Sequence, residues 1–155
     1  MAKILVIGSA NTDMVIRTQK FPSPGETILG GDFFMFSGGK GANQAVAAAR
    51  LGGSVRFVGN LGQDIFGQRI SDQLKQEGID TQFLTTDPSL PSGIALILVN
   101  EVGENEIVVA SGANLGFTDQ LIQSAANAID MAEIILVQLE IPVPAVQLAA
   151  QLANG

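Results

Sequence analysis

The sequence has 155 residues, of which 46% are hydrophobic and 15% are charged, a composition typical of a globular domain and not of a disordered chain. Its formal net charge of −7 argues against a broad nucleic-acid surface, which needs clustered Lys and Arg. The absence of Cys and His from the sequence excludes Cys/His zinc sites, Ser-His-Asp triads and Cys nucleophiles.

The sequence carries no membrane or secretion signal that we recognise. No run approaches the ~18 apolar residues of a membrane span, and the apolar start at residues 4–7 is too short for a signal peptide. A chain without cysteine also fits a reducing compartment. These features predict a cytoplasmic protein with no membrane partner.

Short runs of β-branched and aliphatic residues predict strands that are buried on both faces. Apolar residues at helical spacing, with glycines at the helix ends, predict helices between them. The predicted strands are residues 4–7, 55–58 and 133–140, and the predicted helices are residues 44–51, 65–76, 118–129 and one that begins near Pro144. Asp64 stands just before the second helix, either as its N-cap or as a contact to a ligand.

A second pattern interrupts these strands and helices. Residues 92–99 and 106–110 flank a turn and predict an antiparallel hairpin. Residues 14–17 and 26–36 also have an extended pattern, the latter with three phenylalanines. The sequence therefore predicts an α/β sandwich with a mainly parallel central sheet and a small antiparallel β element on one side.

Two polar residues follow the first predicted strand. Asn11 and Asp13 lie just beyond Gly8, and ligands bind past the carboxyl ends of the strands in open α/β sheets. Asn and Asp are also ordinary turn formers, so a solvated turn explains them equally well.

A glycine-rich segment at residues 37–43 directly precedes the first predicted helix. Glycine permits close approach of a ligand to the backbone, and the free N–H groups of a helix start favour a polar or anionic ligand. A glycine turn that merely starts a helix is the alternative. The segment is not a Walker A loop, because Phe34 and Gly41 stand where its first Gly and its Ser/Thr belong. It is not a dinucleotide fingerprint, because Gln44 replaces the third glycine.

Six segments, taken together and in order, resemble the ribokinase family of carbohydrate kinases. They are residues 8–13, 21–27, 38–47, 62–67, 112–114 and 138–140. The resemblance covers all 155 residues. It implies a ribokinase-like α/β sandwich in which residues 1–155 form the amino-terminal half of one truncated domain. It also implies a β lid built from segments at about 13–17, 26–37 and 92–110.

The resemblance also implies a sugar site. Its residues would be Asn11 and Asp13 after the first strand, Gly39, Lys40 and Asn43 from the glycine-rich segment, and Glu140 after the last strand. Carboxylates suit this role, because hydrogen bonds to charged acceptors are roughly twice as strong as neutral ones. Either Ala95 or Ile97 would supply an apolar wall.

Members of this family are about twice as long. Their second half carries the catalytic aspartate and the sites for nucleotide and monovalent cation, and we find no corresponding motif here. The resemblance therefore implies the sugar-binding and lid half of an ATP-dependent ribokinase. The complete enzyme would transfer a phosphoryl group from ATP to the 5-hydroxyl of D-ribose with Mg²⁺ and a cation such as K⁺. We expect the chain alone to be inactive, with no catalytic residue and neither ATP nor metal bound.

Two other functions remain open at this point. The first alternative is a non-catalytic half-domain that binds sugar or dimerises. The second is a relative that phosphorylates another ribosyl or ketose substrate. The expected partners are a small sugar and a second copy of the chain, paired through the lid as a homodimer. No nucleic acid is expected.

Overall fold

The computed structural model describes residues 1–154. This part of the chain contains eight strands, five α-helices and one 3-10 helix. In chain order they are β1 (Lys3–Ile7), β2 (Asn11–Arg17), β3 (Phe33–Gly38), α1 (Lys40–Arg50), β4 (Ser54–Gly62), α2 (Ile65–Gln76), β5 (Asp80–Asp87), β6 (Gly93–Val99), β7 (Asn105–Ala110), the 3-10 helix (Gly112–Gly116), α3 (Asp119–Ser124), α4 (Ala126–Asp130), β8 (Ile134–Val137) and α5 (Val143–Ala153).

Four strands form a parallel sheet, the main sheet, in the order β5-β4-β1-β8. Helices cover both faces, because β1 is apolar on both sides. Val6 belongs to the buried cluster that includes residues of α1 and α2. Leu5 and Ile7 point the other way, into the cluster with α3, α4 and α5. This layering is the α/β sandwich that the sequence predicts.

The other four strands form the small sheet, in the order β3-β2-β6-β7. It follows β1 without a helix between them. The sheet is mixed, because β2 runs parallel to β6 and the two outer pairs are antiparallel. The predicted combination of a parallel central sheet and a small β element is therefore confirmed, with one parallel pair in place of a wholly antiparallel arrangement.

Several predicted boundaries differ from the structure. The strand predicted at 133–140 ends at Val137, and the helix predicted at 118–129 is broken at Ala125, where Ser124 Oγ instead donates to the carbonyl oxygen of Leu121 (2.7 Å). Strand β4 is longer than the strand predicted at 55–58 and continues to Gly62. Strand β5 was not predicted, because it is an edge strand with many polar residues and no continuous apolar run.

Among residues 1–154, no helix is long and apolar enough to cross a membrane.

Candidate functional site

Asn11 and Asp13 lie in strand β2 and not in the turn that the sequence allows as an alternative. Residues two apart on a strand share a face, so both side chains lie on one face of the small sheet. Asp13 is directly opposite Ala95 in β6, which is 5% exposed. Ile97 is two residues further along β6 and therefore shares this face. The choice between Ala95 and Ile97 does not arise, since both line the Asp13 face.

Asp13 is a half-buried carboxylate that makes no ion pair with any described residue. Burial raises the pKa of Asp13 above its usual value, and the negative charge of Glu140 raises it further. A ligand that donates hydrogen bonds to this carboxylate would compensate for part of that desolvation.

The start of α1 packs tightly against the turn between β1 and β2. Gly39 has φ of 89°, and a Cβ there would lie 2.7 Å from both Ala10 Cα and Asn11 N. A Cβ on Gly41 would lie 2.6 Å from Ser9 N. Gly39 and Gly41 are thus required by backbone–backbone contact, which brings Lys40 next to the turn between β1 and β2.

Lys40 and Glu140 form an ion pair that joins the start of α1 to the loop after β8. Glu140 also accepts a hydrogen bond from Ser9 Oγ at 2.8 Å. Gln138 Oε1 accepts from the Glu140 backbone N–H at 2.8 Å and lies 3.2 Å from Ser9 Oγ. These four side chains form a polar group at the carboxyl end of the main sheet, where the sequence predicts a ligand site.

The charge of Glu140 is stabilised by this group. Burial acts to raise the pKa of Glu140, but hydrogen bonds from Lys40 and Ser9 outweigh it and keep the pKa below its usual value. Glu140 therefore remains an anion, and Asp13 is the less easily ionised of the two carboxyl groups.

Fewer N–H groups at the start of α1 are available to a ligand than the sequence suggests. Ser9 takes two of its first N–H groups, because the amide of Gly41 donates to Ser9 Oγ (3.4 Å) and that of Ala42 to the Ser9 carbonyl oxygen (2.9 Å). Asn43 is exposed and lines a cavity of about 200 Å³ that also contacts α2. The structure does not bring Asn43 into hydrogen-bond contact with Lys40 or Glu140.

Asn114 is a buried polar residue to which sequence reasoning gave no role. It is 1% exposed and hydrogen-bonds both backbone groups of Ala10 as well as the side chain of Asn11. Ser9 and Gln138 were missed in the same way. A polar residue surrounded by small or apolar residues, as in residues 112–115, is the signal in the sequence that indicates such a buried role.

Asp64 is the N-cap of α2, as one of the two interpretations predicts. Its Oδ1 accepts from the amide of Gly67 at 2.8 Å and from Ser92 Oγ at 2.7 Å, and its Oδ2 accepts from the amide of Ser92 at 2.8 Å. Burial opposes its ionisation, but the hydrogen bonds from Ser92 and Gly67 outweigh it and lower the pKa of Asp64. Asp64 thus fastens α2 to the start of β6.

Residues 1–154 contain no group of three or more acidic residues placed to hold a metal ion. Glu140 is already bound by Lys40 and Ser9, and Asp13 is the remaining carboxylate at this site. The described residues therefore do not fit a magnesium site, and we derive no chemical step through a metal.

Comparison with known proteins identifies the family. Residues 1–154 match the family model of the pfkB family carbohydrate kinases. The chain is 43% identical to a ribokinase of Haemophilus influenzae over 97% of its length and 44% identical to a ribokinase of Mus musculus over 96%. It covers 49% and 46% of those two proteins, so it spans about half the length of the curated relatives it matches.

Solved structures share the fold at the same partial coverage. The ribokinase of Giardia lamblia superposes with a TM-score of 0.90 at 35% identity, over 99% of this chain and 46% of that one. The ribokinase of Arabidopsis thaliana, complexed with ribose and ATP, gives a TM-score of 0.89 at 32% identity over 99% and 50% of the two chains. With the family model, the curated relatives and the solved structures in agreement, the chain belongs to the pfkB family of carbohydrate kinases.

Proposed function

We propose that this chain is the amino-terminal, sugar-binding and lid half of an ATP-dependent ribokinase. The observation that carries the proposal is the arrangement of Asn11 and Asp13 on one face of the small sheet, next to the Lys40–Glu140 pair at the end of the main sheet. Relatives named as ribokinases, one of them complexed with ribose and ATP, support the choice of substrate.

The chemistry of the side chains suits a sugar with neighbouring hydroxyl groups. The Asp13 carboxylate accepts hydrogen bonds from two hydroxyls. These hydroxyls supply the donors that the carboxylate lacks among the described residues. Gly39 allows the ligand to approach the backbone closely, and Lys40 adds a charged donor at the start of α1. Asn43 stays part of the proposed set as an exposed polar residue in the first turn of α1.

In this proposal the small sheet acts as a lid over the sugar. The buried Ala95 and the half-buried Ile97 supply an apolar floor behind Asp13. In the complete enzyme, the γ-phosphoryl group of ATP would pass to the sugar's 5-hydroxyl, with ADP as the leaving group and the hydroxyl proton taken by a base outside this chain. The residues described here bind and orient the sugar and exclude water from it.

A homodimer through the small sheet is the second part of the proposal. Both faces of this sheet expose large apolar side chains, among them Phe36 (55%) and Ile107 (52%) on the Asp13 face and Phe33 (55%) and Val108 (69%) on the other. A sheet of this size does not bury both faces against its own domain, so a second copy is the fitting partner.

The absence of cysteine supports a cytoplasmic location.

The test is a titration of the ¹⁵N-labelled chain with D-ribose, followed by amide chemical shifts. We expect saturable shifts centred on Asn11, Gly39 and Glu140, and their loss in Asp13→Asn. Asp32→Asn, an exposed carboxylate in the segment before β3, is the control and keeps the shifts. A titration in which ribose moves no amide at millimolar concentration contradicts the sugar-binding proposal.

The same sample tests the absence of activity. We expect no ribose-dependent release of ADP from ATP by this chain alone, because it spans about half the length of the relatives named as ribokinases. Steady release that depends on both ribose and the pure chain contradicts this part of the proposal.

A further inference from the structure

Asn114 holds the side chain of Asn11 by contacts that fix the direction of both amides. Its Oδ1 accepts from the backbone N–H of Ala10 at 2.9 Å, and a backbone N–H can only donate. Asn114 Nδ2 is therefore the other end of the amide, and it faces the carbonyl oxygens of Ala10 (3.1 Å) and Ser111 (3.0 Å). Both are acceptors, which agrees with that orientation.

The third neighbour of Asn114 Nδ2 is the side chain of Asn11, at 2.7 Å. Because an NH₂ group is the donor here, the atom of Asn11 that faces it is the oxygen, Oδ1. Gly93 encloses the same two atoms, since a Cβ there would lie 2.1 Å from Asn11 Oδ1 and 2.3 Å from Asn114 Nδ2. The Oδ1 atom of Asn11 therefore faces the protein interior and accepts a hydrogen bond from Asn114.

The nitrogen end of Asn11 is turned the other way. Asn11 Nδ2 donates to no described residue, and it is not among the fully enclosed polar atoms without a partner, of which the described chain has one, Thr18 Oγ1. Asn11 Nδ2 therefore keeps some exposed surface, in a residue that is 5% exposed overall, and is free to donate to a ligand at this face. Asp13, two residues along the same face of β2, offers only acceptors when it is ionised.

We propose that Asn114 is a positioning residue that sets the polarity of Asn11 in the ligand site. Asn11 presents a donor and Asp13 presents an acceptor, so the ligand that fits places an oxygen acceptor at Asn11 and a hydroxyl donor at Asp13. This inference refines the proposed sugar site, and it rests on that proposal for the identity of the ligand.

The burial and the hydrogen bonds of Asn114 also support this proposal. It is 1% exposed and bonds both the N–H and the C=O of Ala10, the residue directly before β2. Asn60 Nδ2 donates to the carbonyl oxygen of Ala113 at 3.0 Å, and Thr85 donates to Asn60 Oδ1 at 2.8 Å. The 3-10 helix that carries Asn114 is therefore itself held by polar contacts from β4 and β5, which keeps Asn114 in place.

The first experiment needs no sugar. Side-chain amide hydrogen exchange in the labelled chain should be slow for Asn114, whose NH₂ is enclosed and bonded, and faster for Asn11, whose NH₂ has no hydrogen-bond partner among the described residues. In Asn114→Asp the new carboxylate faces the same acceptors, so Asn11 should flip its amide to donate inward and its NH₂ should become protected. Fast exchange at Asn114 in the wild-type chain, or no change at Asn11 in the variant, overturns the inference.

The second experiment measures D-ribose affinity. Asn114→Asp should weaken binding about tenfold or more, since it replaces the donor at Asn11 by an acceptor. In an Asn11→Ala background the same Asn114→Asp change should have no further effect, because Asn114 acts through Asn11. Equal losses in both backgrounds assign Asn114 a merely structural role and overturn the inference.

Ile122→Val is the control for stability, because Ile122 is fully buried among α3, α4 and α5 and has no polar contact to Asn11. It should lower the melting temperature and leave ribose affinity within about twofold of the wild-type value. If ribose does not bind the wild-type chain at all, the proposed function fails, and the exchange measurements still decide the role of Asn114. If Asn114→Asp does not fold, exchange in the wild-type chain decides.

Discussion

Asp13 lies directly over Gly38: a Cβ added to Gly38 would be 2.1 Å from Oδ2 and 2.4 Å from Cγ of Asp13. Gly38 is the last residue of β3 and pairs with Asn11, so the missing side chain leaves the space that the Asp13 carboxylate fills. The glycine-rich segment thus contributes to the site by the side chain it lacks at Gly38, two residues before α1 begins at Lys40.

Gly38→Ala should displace the Asp13 carboxylate and weaken D-ribose binding by about tenfold or more, because a shift of one short side chain removes its hydrogen bonds. The fold should survive, since the clash is with a side chain. Gly31→Ala is the control, because its Cβ would meet the nearest atom at 3.6 Å. Calorimetric affinities of both variants check the prediction, and equal affinities contradict it.

Asp13→Asn should stabilise the ligand-free chain at neutral pH. The folded-state pKa of Asp13 is raised above 3.8 by burial and by Glu140, so the folded state binds the proton more tightly than the unfolded state. Ionised Asp13 therefore opposes folding above its folded pKa, and the penalty vanishes below pH 3.8.

Urea unfolding of wild type and Asp13→Asn at a series of pH values checks this prediction. The advantage of the variant should be largest near pH 7 and should disappear as the pH falls below 3.8. A variant that is less stable than wild type at pH 7 would show that Asp13 has a stabilising partner in the ligand-free chain.

Asp64→Ala should destabilise the chain by about 2–4 kcal/mol. It removes the N-cap of α2, worth about 1 kcal/mol, and leaves the amide and hydroxyl of Ser92 without their acceptor, at about 1–3 kcal/mol. Asp72→Ala is the matched control on the same helix, since Asp72 accepts one exposed hydrogen bond from Gln68. It should cost less than about 0.5 kcal/mol.

The pH dependence of the free energy of unfolding distinguishes a charged N-cap from a contribution of side-chain packing alone. The folded pKa of Asp64 is lowered, so its contribution is present above 3.8 and is lost as the pH falls through the folded pKa. Urea unfolding should show the difference between wild type and Asp64→Ala shrinking over that range. A difference that is independent of pH would mean that the charge of Asp64 contributes nothing.

Neighbouring residues of β7 test the dimer. Val109 lies on the Asp13 face of the small sheet and Val108 on the opposite face, and they are 49% and 69% exposed. On the opposite face, α2 approaches the sheet where Arg69 contacts Met35 (2.9 Å), which restricts access there. We therefore expect Val109→Asp to dissociate the dimer and Val108→Asp to leave it intact.

Light scattering at micromolar concentration measures the mass of each variant. The two substitutions introduce the same charge at adjacent positions, so a difference between them identifies the buried face. Dissociation by Val108→Asp alone would reverse the assignment of the face. A wild-type chain that is monomeric throughout this concentration range contradicts the dimer.

The sequence predicts the parts of this fold that have strong local signals. Helix α2 has the predicted bounds, because Asp64 caps it and Gly78 follows it. The hairpin of β6 and β7 is equally clear from its two apolar runs. Strand β5 was missed because an edge strand needs only one apolar face, and its aspartates and threonines hide that alternation.

The candidate site was predicted as a set of residues but not as a network. Asn11, Asp13, Lys40 and Glu140 are found near one another, whereas the side chain of Asn43 forms no hydrogen bond with them. The roles of Ser9 and Asn114 depend on partners more than a hundred residues away, and no local pattern encodes such pairs. The family resemblance identifies candidate residues. Only the structure gives the hydrogen bonds that orient them.

The polar group at the base of the site has a consequence for how the chain folds during synthesis. Ser9 and Glu140 are 131 residues apart in sequence, and β1 pairs with β8 as well as with β4. Contacts of such long range form slowly, because a large loop must close first. Strand β1 therefore keeps one edge unpaired until β8 has been synthesised, and the contact between Ser9 and Glu140 forms only then. Until then the apolar residues of β1 are exposed to other chains, so chaperone binding at this early stage is the expected safeguard against aggregation.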